Sequence, residues 1–433
     1  MSYPHGQVSA LVALIVSSSK TIEAHYAKSS KPYVPSLDDL APHPLDSELS
    51  PSEVREAVQI LEGACAQLCA TVARPNHTVL NKLMQIYEPG CLQVAITFKI
   101  PDILLETPQG MHISEIASKH LFREVRTDVF ANNRLSLELL STAPLNGLAF
   151  HFTDENNKAV TRLPDVLADS QWGHSQSAVN TAWNKSTGFP GSLFEWFEGA
   201  TPEGAKQGAR FGLGMIGWGN AIEAGGVVTA FPWRDLPPGS TVCDVGGGIG
   251  NITMQLAKMY PHLKLKLQDT PDRITQAATN VWPAECPLAI VEDRIEFKAM
   301  DFFVESPIKG CDIYYLKNII HDWPARECIK ILSGVRNAMK STSRVLIHEH
   351  VLQHADRVAE IKSAFAQAPE PLLPNYGVGR IRQYSIDLDM MVMLNSKERT
   401  LEEFTKLGGE AGLKFVKLWD VGELGVVEFC LAA

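Results

Sequence analysis

The stretch Thr241-Val-Cys-Asp-Val-Gly-Gly-Gly-Ile-Gly-Asn251 decides the fold of this 433-residue chain. Its first five residues are mostly β-branched or apolar, which predicts a buried strand over Thr241–Val245. The glycines at 246, 248 and 250 let the backbone turn sharply and approach a ligand closely. A helical pattern over Ile252–Tyr260 follows, and the free N–H groups at a helix start favour a polar ligand. This order of strand, loop and helix predicts a nucleotide-binding unit.

The second half of the chain alternates short β-rich runs with helical stretches. Helices such as Ala325–Met339 separate the runs Thr241–Val245, Leu263–Gln268, Ile295–Ala299, Ile313–Leu316 and Arg344–His348. This alternation predicts a parallel sheet covered by helices. The last two runs, Phe415–Leu418 and Val426–Leu431, predict a closing antiparallel pair. The expected fold class is therefore α/β, with a Rossmann-like, doubly wound, mostly parallel sheet of seven strands over residues 226–433.

The first half, residues 1–225, is predicted to be mostly helical and to form a separate N-terminal domain. Helical patterns cover residues 7–28, 52–72, 78–87 and 91–97. Residues 112–119, 127–141 and 150–161 are expected to form helix, helix and a short wing, as in a winged helix. Residues 354–380 carry several prolines and fit neither half, and such a long excursion is either a functional lid or mobile.

Composition excludes several classes of protein. The net charge of −10 comes with no basic stripe, so nucleic acid is not an expected partner. The eight cysteines lack zinc spacing, which indicates free thiols, a reducing compartment and no metal. Since no run approaches the roughly 20 apolar residues of a membrane span, we expect no membrane contact and a cytoplasmic protein.

Acidic residues at neighbouring strand ends narrow the choice of nucleotide. The loop glycines follow G-x-G-x-G, with Asn251 where dinucleotide enzymes have a third glycine, but this spacing alone decides little. Asp269 ends the second strand, where a carboxylate can bind ribose hydroxyls. Asp301 ends the third strand, where an acid can bind an adenine amino group beside the ring of Phe302. Each acid could instead cap a helix or be solvated, but together they favour S-adenosylmethionine (SAM).

His321 is the candidate general base, because it follows the fourth strand on the same edge of the sheet. A lone histidine is more often structural, but a positioned imidazole can take the proton of a phenol during methyl transfer. A nearby carboxylate would orient the imidazole. Spacing does not choose among Glu349, Glu398 and Asp322 for this role.

The strings VCDVGGGIG, LKLQDTP, AMDFF, YYLKNIIHDW, VLIHEHVL and NSKERT resemble, in this order, the class I SAM-dependent O-methyltransferases of the plant caffeate and flavonoid type and their fungal relatives. The resemblance runs from about residue 50 to the end. It implies that His321 is the general base, that Glu349 and Glu398 flank it, and that Asp322 belongs to the catalytic motif. It assigns these positions to the cofactor: Asp244, Gly246, Gly248, Asp269, Thr270, Asp301, Phe302 and Lys317.

The resemblance also implies a homodimer formed by the helical half and a small aromatic hydroxyl acceptor. Met391 and Asn395 match positions of the acceptor pocket. Trp183 and Phe194 lie in an aromatic stretch that forms either a pocket wall or ordinary core. Two other activities stay open: pericyclic or dehydration chemistry, which some fungal relatives perform with SAM bound, and non-catalytic binding. The intact His321-Asp322 pair and Glu349 favour methyl transfer.

Overall fold

The large sheet has the topology that the sequence predicts. The computed structural model describes residues 6–112, 122–222, 224–357 and 365–432. In chain order its strands are β1 (Met111–His112), β2 (Phe122–Arg126), β3 (Val129–Asn132), β4 (Thr241–Val245), β5 (Lys264–Asp269), β6 (Ile295–Ala299), β7 (Ile313–Lys317), β8 (Arg344–Glu349), β9 (Val351–Leu352), β10 (Arg399–Thr400), β11 (Leu413–Asp420) and β12 (Gly425–Leu431).

Seven of these strands form one sheet in the order β11-β12-β8-β7-β4-β5-β6. Neighbours from β8 to β6 pair in parallel, whereas β12 runs antiparallel to both β8 and β11. The chain reverses its direction of winding between β4 and β7, and ligands of such sheets bind at that point, beyond the carboxyl ends of the strands. The predicted α/β class and the closing antiparallel strand are confirmed.

Both faces of the sheet are buried. Successive residues of a strand point to opposite faces, and here Tyr314 packs into one apolar cluster while Tyr315 packs into the other. The helices of this half that cover the sheet and its edges are Val227–Ala230, Asn251–Met259, Pro271–Gln276, Trp282–Glu285, Pro287–Val291, Ala325–Ala338 and Leu401–Glu410, whereas Ile381–Leu394 packs against the helical half. The sheet is therefore a rigid support for side chains at its carboxyl edge.

The first half is mostly helical, as predicted, but it also contains strands. Its α-helices are Gly6–Tyr26, Ser52–Val72, Pro75–Met84, Tyr87–Thr97, Ile100–Leu105, Arg134–Leu137, Pro144–Phe150, Asn157–Val160, Leu163–Leu167, Ala182–Thr187, Leu193–Glu195 and Pro202–Ala221. The strands β1, β3 and β2 form a small antiparallel sheet in that order. Turns of π-helix at His151–Asn156 and Trp196–Ala200 continue two of the short helices.

The wing was predicted at the wrong place. The hairpin of β2 and β3 occupies residues 122–132, where the start of the predicted helix 127–141 was expected, and residues 150–161 are helical. Because β3 is short and its residues are largely buried, it lacks the polar and apolar alternation that identifies an isolated strand. The helix predicted over 112–119 lies almost entirely outside the described residues.

The described part of the excursion 354–380 packs against the first helices of the chain. Ala368, Leu372 and Tyr376 share a buried cluster with Leu11 and Ala64. The approach is close, because a Cβ on Gly379 would lie 2.0 Å from the backbone oxygen of Gln59. Residues 365–380 therefore serve as a platform for the N-terminal helices, and the domain boundary at residue 225 stays a prediction.

Candidate active site

The glycine loop lies where β4 ends, at the carboxyl edge of the sheet. Gly246, Gly248 and Gly250 all have positive φ, 72°, 60° and 85°. A Cβ on Gly246 would lie 2.5 Å from Ile319 Cδ1, so the loop packs directly on the segment before His321. In the part of the chain that the structure describes, no atom lies within 4 Å of a Cβ built on Gly248. The loop thus has one side packed and one side open to a ligand.

Asp244 lies beneath this loop and is buried. Its Oδ2 accepts a hydrogen bond from the hydroxyl of Thr253, while no described donor reaches its buried Oδ1. Burial raises the pKa of Asp244 to about 6, although the hydrogen bond from Thr253 opposes this. A buried acceptor without a donor suits the ammonium group of an amino acid ligand.

Asp269 closes the next strand and fixes the loop. Its Oδ2 accepts a hydrogen bond from the Gly248 N–H at 2.7 Å, and its Oδ1 accepts one from the Thr270 N–H at 2.7 Å. Each carboxylate oxygen has further lone pairs, so Asp269 can hold the loop and still accept from ribose hydroxyls.

Asp301 and Phe302 follow β6 on the same side of the sheet. Asp301 is exposed and its Oδ1 accepts a hydrogen bond from the Phe303 N–H at 2.8 Å. The ring of Phe302 lies 3.6 Å from a Cβ built on Gly246. The ring of Phe302 beside the glycine loop, with Asp301 next to it in the chain, suits a purine base, and this assignment stays a prediction.

Lys317 ends β7 and points its charge toward the same edge. No described carboxylate forms an ion pair with it, although Asp244, Glu349 and Asp322 all act on its charge. Burial lowers the pKa of Lys317 against the opposing effect of these carboxylates. A cation without a close partner fits the carboxylate of a bound amino acid. Asp244, Asp269, Phe302 and Lys317 together fit SAM.

His321 lies one short turn beyond β7 and is buried, with 8% of its surface exposed. Its Nδ1 lies 2.6 Å from Glu398 Oε1, and its Nε2 lies 3.4 Å from Asp322 Oδ1. Burial alone would lower the pKa of His321, but the carboxylates of Glu398 and Asp322 outweigh this and raise it to about 10. Burial raises the pKa of Asp322 itself to about 7 despite the nearby imidazole.

Glu349, the other carboxylate predicted to flank His321, binds backbone instead. Its Oε1 accepts from the N–H groups of Ile319 at 3.0 Å and Ile320 at 2.6 Å, so it holds the turn that carries His321. Spacing did not separate Glu349 from Glu398, whereas the structure places Glu398 alone of these two on the imidazole.

Arg399 is a positioning residue that the sequence analysis passed over. It is 3% exposed, and its guanidinium donates to the carbonyl oxygens of Ile320 and Trp323, both at 2.7 Å. Asp387 adds a second support, because its Oδ1 accepts from the Glu398 N–H at 2.9 Å. Residue spacing gives no signal for a buried arginine whose hydrogen bonds go to backbone carbonyls.

The four predicted acceptor-site residues have different surroundings. Trp183 is 1% exposed and packs against the rings of Phe189 and Trp196, so it is interior. Phe194 reaches the site, since its ring lies 5.7 Å from that of Trp323. Met391 is half-buried on the helix Ile381–Leu394. The amide of Asn395 donates to the carbonyls of residues 175 and 177 and so holds that loop.

A further buried carboxyl group, Asp389, was missed. It lies on the helix Ile381–Leu394, which packs against the turn Ile320–Asp322, and it is 9% exposed. Its Oδ1 accepts a hydrogen bond from Asn156 Nδ2. The surrounding sequence, IDLDMMVML, is typical of a core helix whose acidic residues face solvent. This pattern therefore gives no indication that Asp389 is buried.

Among the described residues, no group of three or more histidine, cysteine, aspartate or glutamate side chains could hold a metal ion. The described helices include none that is both long and apolar enough to cross a membrane.

The fold and the site define a class I methyltransferase that uses SAM. A sequence profile of the O-methyltransferase domain family matches residues 172–414. The chain belongs to this family, in its fungal branch.

Two curated relatives illustrate the membership. The chain is 42% identical to 3-O-methyltransferase 2 of Phanerochaete chrysosporium, over 98% of this chain and 97% of the relative. It is 32% identical to O-methyltransferase gedA of Aspergillus terreus, over 85% of each chain.

Solved structures share the fold. The crystal structure of OxaC superposes with a TM-score of 0.69 at 21% identity, over 98% of each chain. LepI in complex with SAM superposes with a TM-score of 0.68 at 19% identity, over 97% of this chain and 99% of that one.

Proposed function

We propose that this protein transfers a methyl group from SAM to a hydroxyl group of a small aromatic acceptor, with His321 as the general base. The observation that carries the proposal is the 2.6 Å contact between His321 Nδ1 and Glu398, at the edge of the sheet where the glycine loop ends. Since Glu398 holds Nδ1, the nitrogen that takes the acceptor's proton is Nε2, which lies 3.4 Å from Asp322 Oδ1. Bound SAM supplies an activated methyl group, because its thioether leaves as a neutral molecule.

The protonation state of His321 needs to change for this role. With a pKa of about 10 the imidazole holds its proton at neutral pH. His321 loses that proton more readily when a second positive charge, such as a sulfonium, lies nearby, since like charges disfavour each other. The carboxylate of Glu398 then stabilises the imidazolium that forms as the acceptor hydroxyl is deprotonated.

Replacing His321 by alanine tests the proposal. We expect SAM affinity, measured by calorimetric titration, to stay within about threefold, while turnover falls by the roughly 10²–10⁴-fold that a positioned base contributes. Turnover is measured as S-adenosylhomocysteine formed with a panel of phenols, together with the mass of the product. A His321→Ala enzyme with full activity would remove His321 from the mechanism.

The same assay separates methyl transfer from its alternatives. Conversion of an acceptor without S-adenosylhomocysteine indicates pericyclic or dehydration chemistry. SAM binding without conversion of any compound indicates a binding protein. The buried contacts of His321 with Glu398 and Asp322 support methyl transfer, because neither alternative needs a base that faces a hydroxyl beside a methyl donor.

We further propose a homodimer formed by the helical half. The helix Pro75–Met84 buries none of its residues, and apolar side chains of this region are exposed, by 58% for Val79, 69% for Leu83 and 68% for Tyr87. Exposed apolar surface of this kind indicates an interface, and a second copy of the chain is the occupant that family membership suggests.

Light scattering after size exclusion tests the dimer. Leu83→Glu combined with Tyr87→Glu should convert a dimer to a monomer, because each substitution buries a charge in the interface. Val291→Glu is the matched control, since Val291 is 80% exposed in the other half of the chain. A double variant that stays dimeric would contradict this interface. The cytoplasmic location stays a prediction.

A further inference from the structure

Asp389 lies beside the proposed base without contacting the residues that orient it. Its helix, Ile381–Leu394, packs both on the turn that carries His321 and on the π-helical turn His151–Asn156. The charges of His321, Asp322 and Glu398 act on the Asp389 carboxyl group, so it lies within electrostatic reach of the base. Burial raises the pKa of Asp389 to about 7, although the nearby His321 opposes this.

Asn156 reaches Asp389 from the helical half of the chain. It ends the π-helical turn His151–Asn156, and such turns are frequent at functional sites. Its Nδ2 donates to Asp389 Oδ1, across 233 residues of sequence. The two side chains therefore bridge the helical half and the helix that lies beside His321.

The pair retains capacity for another hydrogen bond. Among the described residues, no donor reaches the second oxygen of Asp389 or the Oδ1 of Asn156. When Asp389 is ionised both atoms are acceptors, so the group that completes the pair is a donor. A buried carboxyl group that finds no such donor costs free energy, which gives the pair a means of rejecting ligands that lack one.

We propose that Asp389 and Asn156 bind a second hydroxyl group of the acceptor, so that the enzyme selects dihydroxylated aromatic compounds. This inference rests on the proposed methyl transfer. One hydroxyl faces Nε2 of His321 and reacts, while the other donates its proton to the pair and fixes the ring. The pair takes no part in the transfer and acts by positioning and selection.

The experiment compares catechol, resorcinol and hydroquinone with their monomethyl ethers and with phenol. An ether keeps one reactive hydroxyl and both oxygens but lacks the second donor. We expect the wild-type enzyme to prefer at least one diphenol over its ether in kcat/KM by tenfold or more. Asp389→Leu should reduce kcat/KM for that diphenol by about 10-fold to 100-fold, as expected for a hydrogen bond to a charged group, and leave phenol within about threefold.

Two controls separate selection from loss of folding. Asn156→Ala should act in the same direction as Asp389→Leu, whereas Asn157→Ala should not, because the side chain of Asn157 forms no hydrogen bond with the described residues. Asp389→Asn keeps an acceptor and should restore part of the preference. SAM affinity should be the same in all variants. A Leu variant that slows phenol and the diphenol equally, or neither, would overturn the inference.

Binding distinguishes failure of this inference from failure of the proposed function. The diphenols and their ethers are titrated into the enzyme with S-adenosylhomocysteine present, which needs no turnover. If the preference for binding a diphenol disappears in Asp389→Leu, the result supports the role of Asp389 and Asn156. If no methylated product forms in that case, only the proposed function is contradicted. Equal binding of diphenols and ethers to the wild-type enzyme would overturn the inference even if methylation is observed.

Discussion

Replacing Glu398 by glutamine removes one negative charge from His321 and preserves the shape of the side chain. The carboxylates around His321 raise its pKa from 6.5 to about 10 against the effect of burial. That difference corresponds to about 5 kcal/mol in favour of the imidazolium. Among these charges Glu398 contributes most to the raised pKa of His321, and it also makes the 2.6 Å contact. Its loss therefore removes a major share of the free energy that favours the imidazolium.

The same charge stabilises the imidazolium as the acceptor loses its proton. We therefore expect Glu398→Gln to lower kcat by about 100-fold or more, within the range that a positioned base contributes. SAM affinity should stay within about threefold, because among the described residues no hydrogen bond joins Glu398 to the glycine loop. The pKa of His321 should fall, so any remaining activity should reach its plateau at lower pH than in the wild-type enzyme.

The assay is S-adenosylhomocysteine formation from pH 5 to pH 10 at saturating SAM and acceptor. Glu402→Gln is the matched control, because Glu402 is an exposed glutamate on the neighbouring helix Leu401–Glu410. If Glu398→Gln retained kcat within threefold of the wild-type value with an unchanged pH profile, the assignment of Glu398 as the residue that supports the base would be refuted.

Three further substitutions test other parts of the site. Gly246→Ala places a methyl group 2.5 Å from the Ile319 side chain at a φ of 72°, which should cost about 1–2 kcal/mol of stability and weaken SAM binding about tenfold in calorimetric titration. Arg399→Lys loses the paired hydrogen bonds that flank the His321 turn, so kcat should fall more than tenfold while circular dichroism stays unchanged. The pKa of Asp389 is about 7 in the folded protein, above the ordinary aspartate value of 3.8. The stabilising contribution of its protonated carboxyl group is therefore present below pH 4 and is lost as pH rises through 7. Asp389→Asn should therefore be more stable than the wild-type protein at pH 8.5, by on the order of 4 kcal/mol, with a difference in melting temperature that shrinks toward pH 4.

The sheet could be predicted closely, because its parallel strands are short β-rich runs that alternate with helical stretches. The predicted strand Ile313–Leu316 differs from β7 by the single residue Lys317. The small sheet of the first half could not be predicted in this way, because β2 and β3 are short and are buried by helices from other parts of the chain.

The cofactor side of the site also followed from strand ends, where position along the chain fixes position in space. The acceptor side did not. Asp389, Asn156 and Arg399 come from distant segments, and their roles arise from tertiary contacts that span 76 to 233 residues. Trp183 illustrates the opposite case. The sequence allowed it as part of a pocket wall or of the core, and the structure places it in the interior.

The platform that residues 365–380 provide for the first helices has a consequence for synthesis on the ribosome. Gln67 bonds to the carbonyl of Pro371, a partner that is made 304 residues later. Translation adds about 5–20 residues per second. The apolar faces of the first two helices therefore stay uncovered for roughly 15 to 60 s, until the segment that packs on them has been synthesised. During that interval a chaperone or the same helices of another nascent chain can bind these faces. Helices from two chains translated side by side can therefore associate before either large sheet has formed.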